Sequence, residues 1–418
     1  MSTPLAVPSS PSSSKRSRSR ESTRSSAAAS INAPSINTAS ATGPSASLSS
    51  LVIPSQSQAP SLTEASPVDN IPYPAFLRLS KSDILSKYQD LEWEKNMRLS
   101  QQWDATSQWA RDCDEVAQGR NRYNNVFPYA TKRIKLNVPE GHNDYINASP
   151  IELHSTKSQV VTKFIATQGP EAHYVSHIWR MLWHEVESPA VVVMVTQTHE
   201  MNREKCYAYY PLSLSSPTLI VNDHDEFNDG FMLTITLTAI HEDQSARCTV
   251  RELNVRHAEG EEKVVIHLQF GGWPDFAVPE GPDRAALVKL VELSNVKNAE
   301  HPEAPRVVHC SAGVGRSGTF IALDWLLREL SDGSLDDLND DDDPINDVVA
   351  RLRDQRMWMV QSPMQFQFLY DVVRREWRQR WMVEHPGDVV GGEEAAPHHE
   401  VQIEFSPELL RDGAVFDA

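Results

Sequence analysis

The chain has 418 residues, of which 40% are hydrophobic, and its formal net charge is −18. This acidic balance disfavours nucleic acid as the main partner, and the absence of any run of about 18 apolar residues predicts that nothing spans a membrane. The 4 cysteines are widely spaced, without a C-x-x-C pair, which disfavours a disulfide framework or a zinc site. Reduced thiols predict a location in the cytoplasm, with the nucleus as a further possibility.

The N-terminal segment, residues 1–70, is dominated by Ser, Ala, Pro and Thr and has few aromatic side chains. It buries too little apolar surface to offset the entropy of ordering, so we expect it to be disordered. Within it, KRSRSRESTR at 15–24 is either a solvated basic tail or a nuclear-import or kinase-docking signal. The sequence leaves both interpretations open.

Residues 71–385 have the composition of a folded domain. Apolar residues near helical spacing predict one or two helices over 74–99. Strand-like runs and helical patterns then alternate, which predicts a single α+β domain (α/β-like) with a highly twisted mixed sheet flanked by helices. The predicted strands are 190–197, 231–240, 264–270 and 306–309, and the predicted helices are 173–186, 283–296 and 317–330.

Two polar segments lie late in the chain. The acidic, helix-breaking stretch SDGSLDDLNDDDDPIND, at 331–347, predicts a surface insertion between two helices. The residues at 386–418 are rich in Gly and Glu at their start and predict a flexible tail.

The stretch VVHCSAGVGRSGTFIALDWLL, at 307–327, joins the last predicted strand to a helix. Gly313, Gly315 and Gly318 have the G-x-G-x-x-G spacing of a dinucleotide-binding turn, which occurs in this strand-to-helix context. However, Cys310 and Arg316 lie in the same loop, and a pyrophosphate turn has no need of a thiol. The glycine spacing alone is compatible with a cofactor turn and with a phosphate loop that carries a nucleophile.

The side chains of the loop favour the nucleophile. Backbone N–H groups at a helix N-terminus suit a dianionic phosphate, and such an environment lowers a cysteine pKa from about 8.5 to roughly 3.5–7.5. Arg316 adds a planar fork that can hold two phosphoryl oxygens. HCSAGVGRSG resembles the phosphate loop of the Cys-dependent protein tyrosine phosphatases, in their tyrosine-specific, non-receptor branch, and further motifs extend the resemblance.

This resemblance implies a role for each residue of the loop. Cys310 would attack phosphorus, and Arg316 would bind the phosphoryl oxygens. His309 would support the loop through hydrogen bonds, and Ser317 would stabilise the departing thiolate. The substrate-binding residues of the loop would be Ser311, Ala312, Gly313, Val314 and Gly315.

WPDFAVPEGP, at 273–282, resembles the mobile acid loop of the family. Asp275 would protonate the leaving oxygen and later act as the base for hydrolysis. Trp273 would anchor the loop, and Phe276 would contact the substrate. Such loops close over the substrate and exclude water.

NRYNNVFPY, at 121–129, resembles the loop that sets the depth of the substrate pocket. Tyr123 would stack on the substrate's phenyl ring, and a deep slot would exclude phosphoserine. Val126 would bind the substrate together with Tyr123. Asn125 stands where tyrosine-specific members often carry an Asp that grips the peptide backbone, so it keeps a hydrogen bond but lacks the charge.

Two further motifs complete the resemblance. In HEMNREKCYAYYP, at 199–211, Glu200 would hold the Arg316 fork and Lys205 would approach the acid loop; a charged turn at a strand end is the alternative. In MVQSPMQFQFLY, at 359–370, Gln361 would position the hydrolytic water, with Gln365 beside it, unless both lie on the polar face of a helix.

The motifs together predict a protein tyrosine phosphatase, a signalling regulator that needs neither a cofactor nor a metal. Its partners would be phosphotyrosine-containing proteins, with a MAP kinase as one candidate, and the chain would be a monomer. Three alternatives are a phosphotyrosine-binding pseudophosphatase, a dual-specificity phosphatase that also accepts phosphothreonine, and a dinucleotide-binding oxidoreductase. The oxidoreductase does not account for Cys310, Arg316 or the W-P-D motif.

Overall fold

The computed structural model describes residues 71–275 and 277–386. The predictions made for residues 1–70, for Phe276 and for the tail beyond Pro386 lie outside these residues.

A mixed eight-stranded sheet forms the centre of the described domain, with the strand order β1-β2-β10-β3-β9-β8-β7-β6. The strands β2, β10, β3 and β9 are mutually parallel, and the remaining pairs are antiparallel. A separate hairpin pairs β4 with β5. The strands are β1 Ala148–His154, β2 Val161–Thr167, β3 Ala190–Met194, β4 His199–Glu200, β5 Arg203–Glu204, β6 Thr218–Val221, β7 Leu233–Asp243, β8 Cys248–His257, β9 Glu262–Phe270 and β10 Arg306–His309.

Helices cover the sheet, and several begin at residues suited to a helix start. Ser80 caps α1 because its Oγ accepts from the Asp83 amide, and Ser362 caps α7 in the same way. Helices α4, α6 and α7 each have Pro in the first turn. The helices are α1 Lys81–Leu99, α2 Glu115–Gly119, α3 Val175–Glu185, α4 Pro282–Lys297, α5 Gly315–Ser331, α6 Pro344–Gln355 and α7 Pro363–Glu384. None of these helices is long and apolar enough to cross a bilayer.

Strand β3 shows why the centre of the sheet is buried. Its Val191, Val192 and Val193 are all 0% exposed, since alternate side chains pack into the cores on the two faces of the sheet. A continuous apolar run of this kind is typical of a parallel strand covered on both faces. Strand β10 lies beside β3, so the loop that follows β10 begins at the middle of the sheet.

The mixed sheet with flanking helices confirms the predicted α+β fold. Strand β10 has the predicted bounds, whereas the predicted strand at 190–197 ends at Met194. Strands β1, β2, β6 and β8 were not predicted as strands. In the acidic segment at 331–347, Leu335 is buried and Asp343 caps α6, so the end of the segment belongs to the folded domain.

Candidate active site

The loop from Cys310 to Val314 joins the end of β10 to the start of α5. It therefore lies at the carboxyl edge of the parallel strands, where open α/β sheets bind ligands. The Gly313 amide donates to Cys310 Sγ at 3.2 Å. Gly313 has a φ of 72°, and a Cβ there would lie 2.1 Å from the Thr167 carbonyl oxygen. Only glycine fits this turn, which folds the loop around the sulfur.

The surroundings of Cys310 favour its thiolate. Burial raises the pKa of this thiol, but the Arg316 charge and hydrogen bonds from Ser317 and the Gly313 amide outweigh burial, so the pKa lies below its ordinary value. The Ser317 hydroxyl is buried and satisfies no other group among the described residues. The loop therefore favours the anionic form of this nucleophile.

Arg316 is buried beneath the pocket and is held from two sides. Its Nη1 donates to Glu200 Oε1 at 2.5 Å and to the Trp273 carbonyl oxygen at 3.0 Å. The first contact ties the guanidinium to the β4–β5 hairpin, and the second ties it to the start of the acid loop. The plane of the fork is fixed before any ligand arrives.

Asp275 lies over the same pocket. Its Oδ1 accepts from Arg316 Nη2 at 3.2 Å, and its Oδ2 accepts from Lys205 Nζ at 2.5 Å. The indole of Trp273 closes the loop on itself by donating to the Ala277 carbonyl oxygen at 3.0 Å. The predicted acid thus stands next to the predicted nucleophile and phosphate binder.

The pocket between these groups has a volume of about 30 Å3. Because the Ser311 hydroxyl donates to the Lys205 carbonyl oxygen, the Tyr123 hydroxyl donates to Ser311 Oγ, at 2.8 Å. The lining residues are Tyr123, Lys205, Asp275, Cys310, Ser311, Ala312, Arg316 and Gln361.

Other predicted substrate-binding residues lie outside this lining. Val126 and Val314 are buried in the core, and Asn125 is half-buried in the loop after Tyr123. The Val126 carbonyl oxygen accepts from Asn147 Nδ2 at 2.8 Å, which ties the Tyr123 loop to the segment before β1. The structure thus gives Val126 a contact that positions its loop.

Gln361 lines the pocket, and Gln365 supports it from behind. The backbone N–H of Gln361 donates to Gln365 Oε1 at 3.0 Å, and the Tyr88 hydroxyl donates to the backbone carbonyl oxygen of Gln361 at 2.5 Å. Gln361 Nε2 is buried and has no hydrogen-bond partner among the described residues. The side-chain amide of Gln361, at the pocket wall, can therefore donate a hydrogen bond to a water molecule.

This geometry agrees with a comparison of the whole chain to known families. The family model described as protein-tyrosine phosphatase matches residues 117–375. The chain belongs to the protein-tyrosine phosphatase family.

Relatives and solved structures support the assignment. The chain is 32% identical over 333 residues to tyrosine-protein phosphatase 1 of Saccharomyces cerevisiae, covering 72% of this chain and 96% of the relative. It is 33% identical over 306 residues to human phosphatidylinositol phosphatase PTPRQ, covering 71% of this chain but only 12% of that longer protein. The catalytic domain of human protein tyrosine phosphatase non-receptor type 18 superposes with a TM-score of 0.56 at 28% identity, covering 71% of this chain and 96% of that chain.

His309 supports the phosphatase loop as a neutral ring. Burial lowers its pKa to about 4. Its Nδ1 donates to the Cys310 carbonyl oxygen at 3.1 Å, so its Nε2 accepts from the Tyr209 hydroxyl at 2.7 Å. Tyr209 was not identified from the sequence, where it is one of several aromatic residues in a row.

Arg356 is the main site residue that sequence reasoning missed. It is 0% exposed, and its guanidinium donates to the carbonyl oxygens of Gly313 at 2.8 Å and Ala312 at 3.1 Å. Further bonds reach Asn147 Oδ1 at 2.7 Å and Ser149 Oγ at 3.1 Å. Arg356 therefore holds the phosphate loop in place through two of its backbone carbonyl oxygens.

Proposed function

We propose that this protein hydrolyses phosphotyrosine in proteins through a phosphocysteine intermediate on Cys310. The observation that carries the proposal is the convergence of three groups on one small pocket: a stabilised thiolate, a guanidinium fixed by Glu200, and the Asp275 carboxylate. These are a nucleophile, an oxyanion binder and, once its carboxylate has taken up a proton from solvent, a proton donor, which is the set that cleavage of a phosphate ester requires.

In the first step, Cys310 Sγ attacks phosphorus and the bond to the tyrosine oxygen breaks. Arg316 and the loop amides bind the equatorial oxygens, where they stabilise the developing charge. Asp275 gives its proton to the departing phenolate oxygen, so the leaving group departs as neutral tyrosine. The Arg316 fork is already oriented by Glu200 and the Trp273 carbonyl oxygen.

In the second step, water attacks the phosphocysteine and the sulfur departs as a thiolate. The unpaired Nε2 of Gln361 positions this water, and Asp275, now a carboxylate, accepts its proton. Ser317 and the Gly313 amide stabilise the departing sulfur because they favour its anion. Inorganic phosphate is then released.

The substrate class follows from the rim of the pocket. Tyr123 stands at the entrance with its hydroxyl fixed on Ser311, so its ring can stack on a phenyl ring. Solved structures of protein tyrosine phosphatase non-receptor type 18, similar to this chain at 28% identity, include complexes with HER2 phosphopeptides. A MAP-kinase substrate, the cytoplasmic location and a role in signalling rest on the sequence alone.

The proposal is tested with purified protein and a phosphotyrosine peptide. Cys310→Ser is expected to abolish turnover, and Asp275→Ala is expected to lower kcat by about 100- to 10,000-fold while the peptide still binds. Phosphothreonine and phosphoserine peptides and a phosphatidylinositol phosphate serve as alternative substrates in the same assay. Turnover by the Ser variant would refute the covalent route, and a preference for the lipid would refute the substrate class.

A further inference from the structure

The N-terminal end of the acid loop packs against a carboxylate. In the chain, this carboxylate lies just after the C-terminal end of the same loop. Gly272 comes directly before Trp273, and a Cβ on Gly272 would lie 2.6 Å from Asp283 Cγ and 2.9 Å from both of its carboxylate oxygens. Asp283 is in the first turn of α4, just after Gly281 ends the loop. The two ends of the loop therefore touch through this side chain.

Asp283 is held in that place from a third element. Arg247 Nε donates to Asp283 Oδ1 at 2.6 Å. Arg247 lies in the turn between β7 and β8 with a φ of 47°, a region that residues other than glycine rarely occupy. The turn is fixed by Asp243 Oδ1, which accepts from the amides of Ser245 at 2.9 Å and Ala246 at 2.8 Å. The Asp283 carboxylate that contacts Gly272 is thus held by an ion pair with Arg247, whose turn is itself fixed.

We propose that Asp283, braced by Arg247, is a positioning residue for the acid loop. Its carboxylate packs on Gly272 and fixes the end of the loop from which Trp273 and Asp275 continue. The Trp273 carbonyl oxygen bonds Arg316, so this end must be in place for Asp275 to reach the pocket. The inference rests on the proposed function, because it concerns the proton donor of that reaction.

A simpler role for Asp283 makes a different prediction. A carboxylate in the first turn of a helix interacts favourably with the helix dipole, and that role involves only α4. A dipole role predicts that substitutions at Gly272 and Asp283 act independently. A positioning role predicts that they are coupled, because the two groups occupy adjoining space.

The central variant is Gly272→Ala in the full chain. Its added methyl group meets the braced carboxylate, so kcat for a phosphotyrosine peptide is expected to fall by about 10-fold or more. The loss with p-nitrophenyl phosphate should be smaller, because nitrophenolate leaves with little help from an acid. The matched control is Gly271→Ala, whose Cβ would make an ordinary 3.4 Å contact with Gln197 Cγ and should stay within about twofold of wild type.

The double variant Gly272→Ala/Asp283→Ala decides the question. Removing the carboxylate makes room for the methyl group, so kcat should recover to the level of Asp283→Ala alone, about threefold below wild type. Replacing Arg247 with Gln in the Gly272→Ala background should restore part of the activity by freeing the carboxylate. A double variant no more active than Gly272→Ala would overturn the proposal, as would equal losses on both substrates.

A second readout does not depend on catalysis. The indole N–H resonance of Trp273, assigned with a Trp273→Phe variant, should move in Gly272→Ala and return in the double variant. Inactive wild-type protein would refute the proposed function, while this resonance would still report whether Asp283 positions the loop. An indole resonance unmoved by Gly272→Ala would refute the positioning role even in an active enzyme.

Discussion

The phosphate loop and the acid loop meet at one pocket, but they are held in different ways. The phosphate loop is fixed through its backbone: Arg356 binds the carbonyl oxygens of Ala312 and Gly313, and the Ser311 carbonyl oxygen accepts from the Gly169 amide at 2.9 Å. The acid loop is fixed mainly through side chains near its tip, since Asp275 bonds Lys205 and Arg316. The phosphate loop is thus bound to the core through its backbone, whereas the acid loop is bound to it mainly through side chains.

This difference matches the two tasks. The groups that stabilise a developing charge act best when they need no reorganisation, and a loop bonded through its backbone meets that requirement. A proton donor must reach the substrate and then let the product leave, so contacts through a few side chains suit it. We expect substitutions in the phosphate loop to have large effects, and substitutions in the fastening of the acid loop to have small ones.

Among the contacts that hold the two loops, the largest effect is expected from Arg316→Lys. Lysine keeps the positive charge but cannot bind Glu200, the Trp273 carbonyl oxygen and two phosphoryl oxygens at once, so kcat/KM should fall by about 100- to 1,000-fold. Arg316→Met removes the charge as well, and the pH midpoint for alkylation of Cys310 by iodoacetamide should then rise. Full activity in the Lys variant would show that the fork geometry is unnecessary.

Arg356→Met tests the backbone bracing of the phosphate loop. Methionine fills part of the space but leaves the carbonyl oxygens of Gly313 and Ala312 buried without donors, so the free energy of unfolding should fall by about 3 kcal/mol. Urea unfolding measures the loss, and kcat should fall with it. Arg351→Met, at an exposed position on α6, is the control and should change the unfolding free energy little.

The same loop should make stability depend on pH through His309. Its pKa is lowered from 6.5 to about 4 in the folded protein, so the unfolded chain binds a proton more readily. Stability is therefore full above pH 6.5 and falls as the pH drops toward 4, by up to about 3 kcal/mol. His309→Asn should make this dependence shallower in urea unfolding, while the buried His267, whose pKa burial also lowers, still contributes. His224→Asn, at an exposed site, should leave the dependence unchanged. An equal slope in all three proteins would contradict the assignment.

Of the contacts that hold the two loops, Lys205→Met is expected to have the smallest effect, because it loosens only the tip of the acid loop. Methionine keeps the apolar stem but loses the bond to Asp275, so kcat for a phosphotyrosine peptide should fall by about fivefold. Stability should barely change. Lys289→Met removes an exposed, distant lysine and should leave kcat at the wild-type value. A loss as large as that of Arg316→Lys would mean that the two loops do not differ as described.

Local motifs and the family resemblance together predicted most of the site, and the resemblance supplied distant contacts such as that of Glu200 with Arg316. Cys310 and Arg316 share one loop, Trp273 and Asp275 share another, and the structure brings both loops to one pocket. Arg356 was not predicted because it lies in none of the motifs that carry the resemblance, and its partners are far away in sequence, 43 residues from Gly313 and 209 from Asn147. A single arginine in a polar helix end carries no local signal of such contacts.

The fold shows a similar limit. Strand β3 was predicted because a short, continuous run of valines is typical of a buried strand. Strand β8 was missed because Arg251 and Glu252 interrupt its apolar pattern. In the structure Arg251 is nevertheless buried, with its guanidinium 4.4 Å from the centre of the Tyr210 ring and bonded to Gln269 Oε1 at 3.0 Å. Partners for a buried charge come from other strands, and the local sequence does not specify them.

The bond between Asp275 and Arg316 has a consequence for binding. In the proposed reaction, the incoming phosphoryl group takes the guanidinium nitrogen that the carboxylate occupies in this structure. The Asp275 carboxylate therefore competes with a phosphorylated substrate for the guanidinium. The free energy needed to displace the carboxylate is subtracted from the binding free energy of that substrate. Displacement also frees the Asp275 side chain, which then takes up a proton from solvent and passes it to the leaving oxygen, so the same exchange of anions that weakens capture prepares the proton transfer.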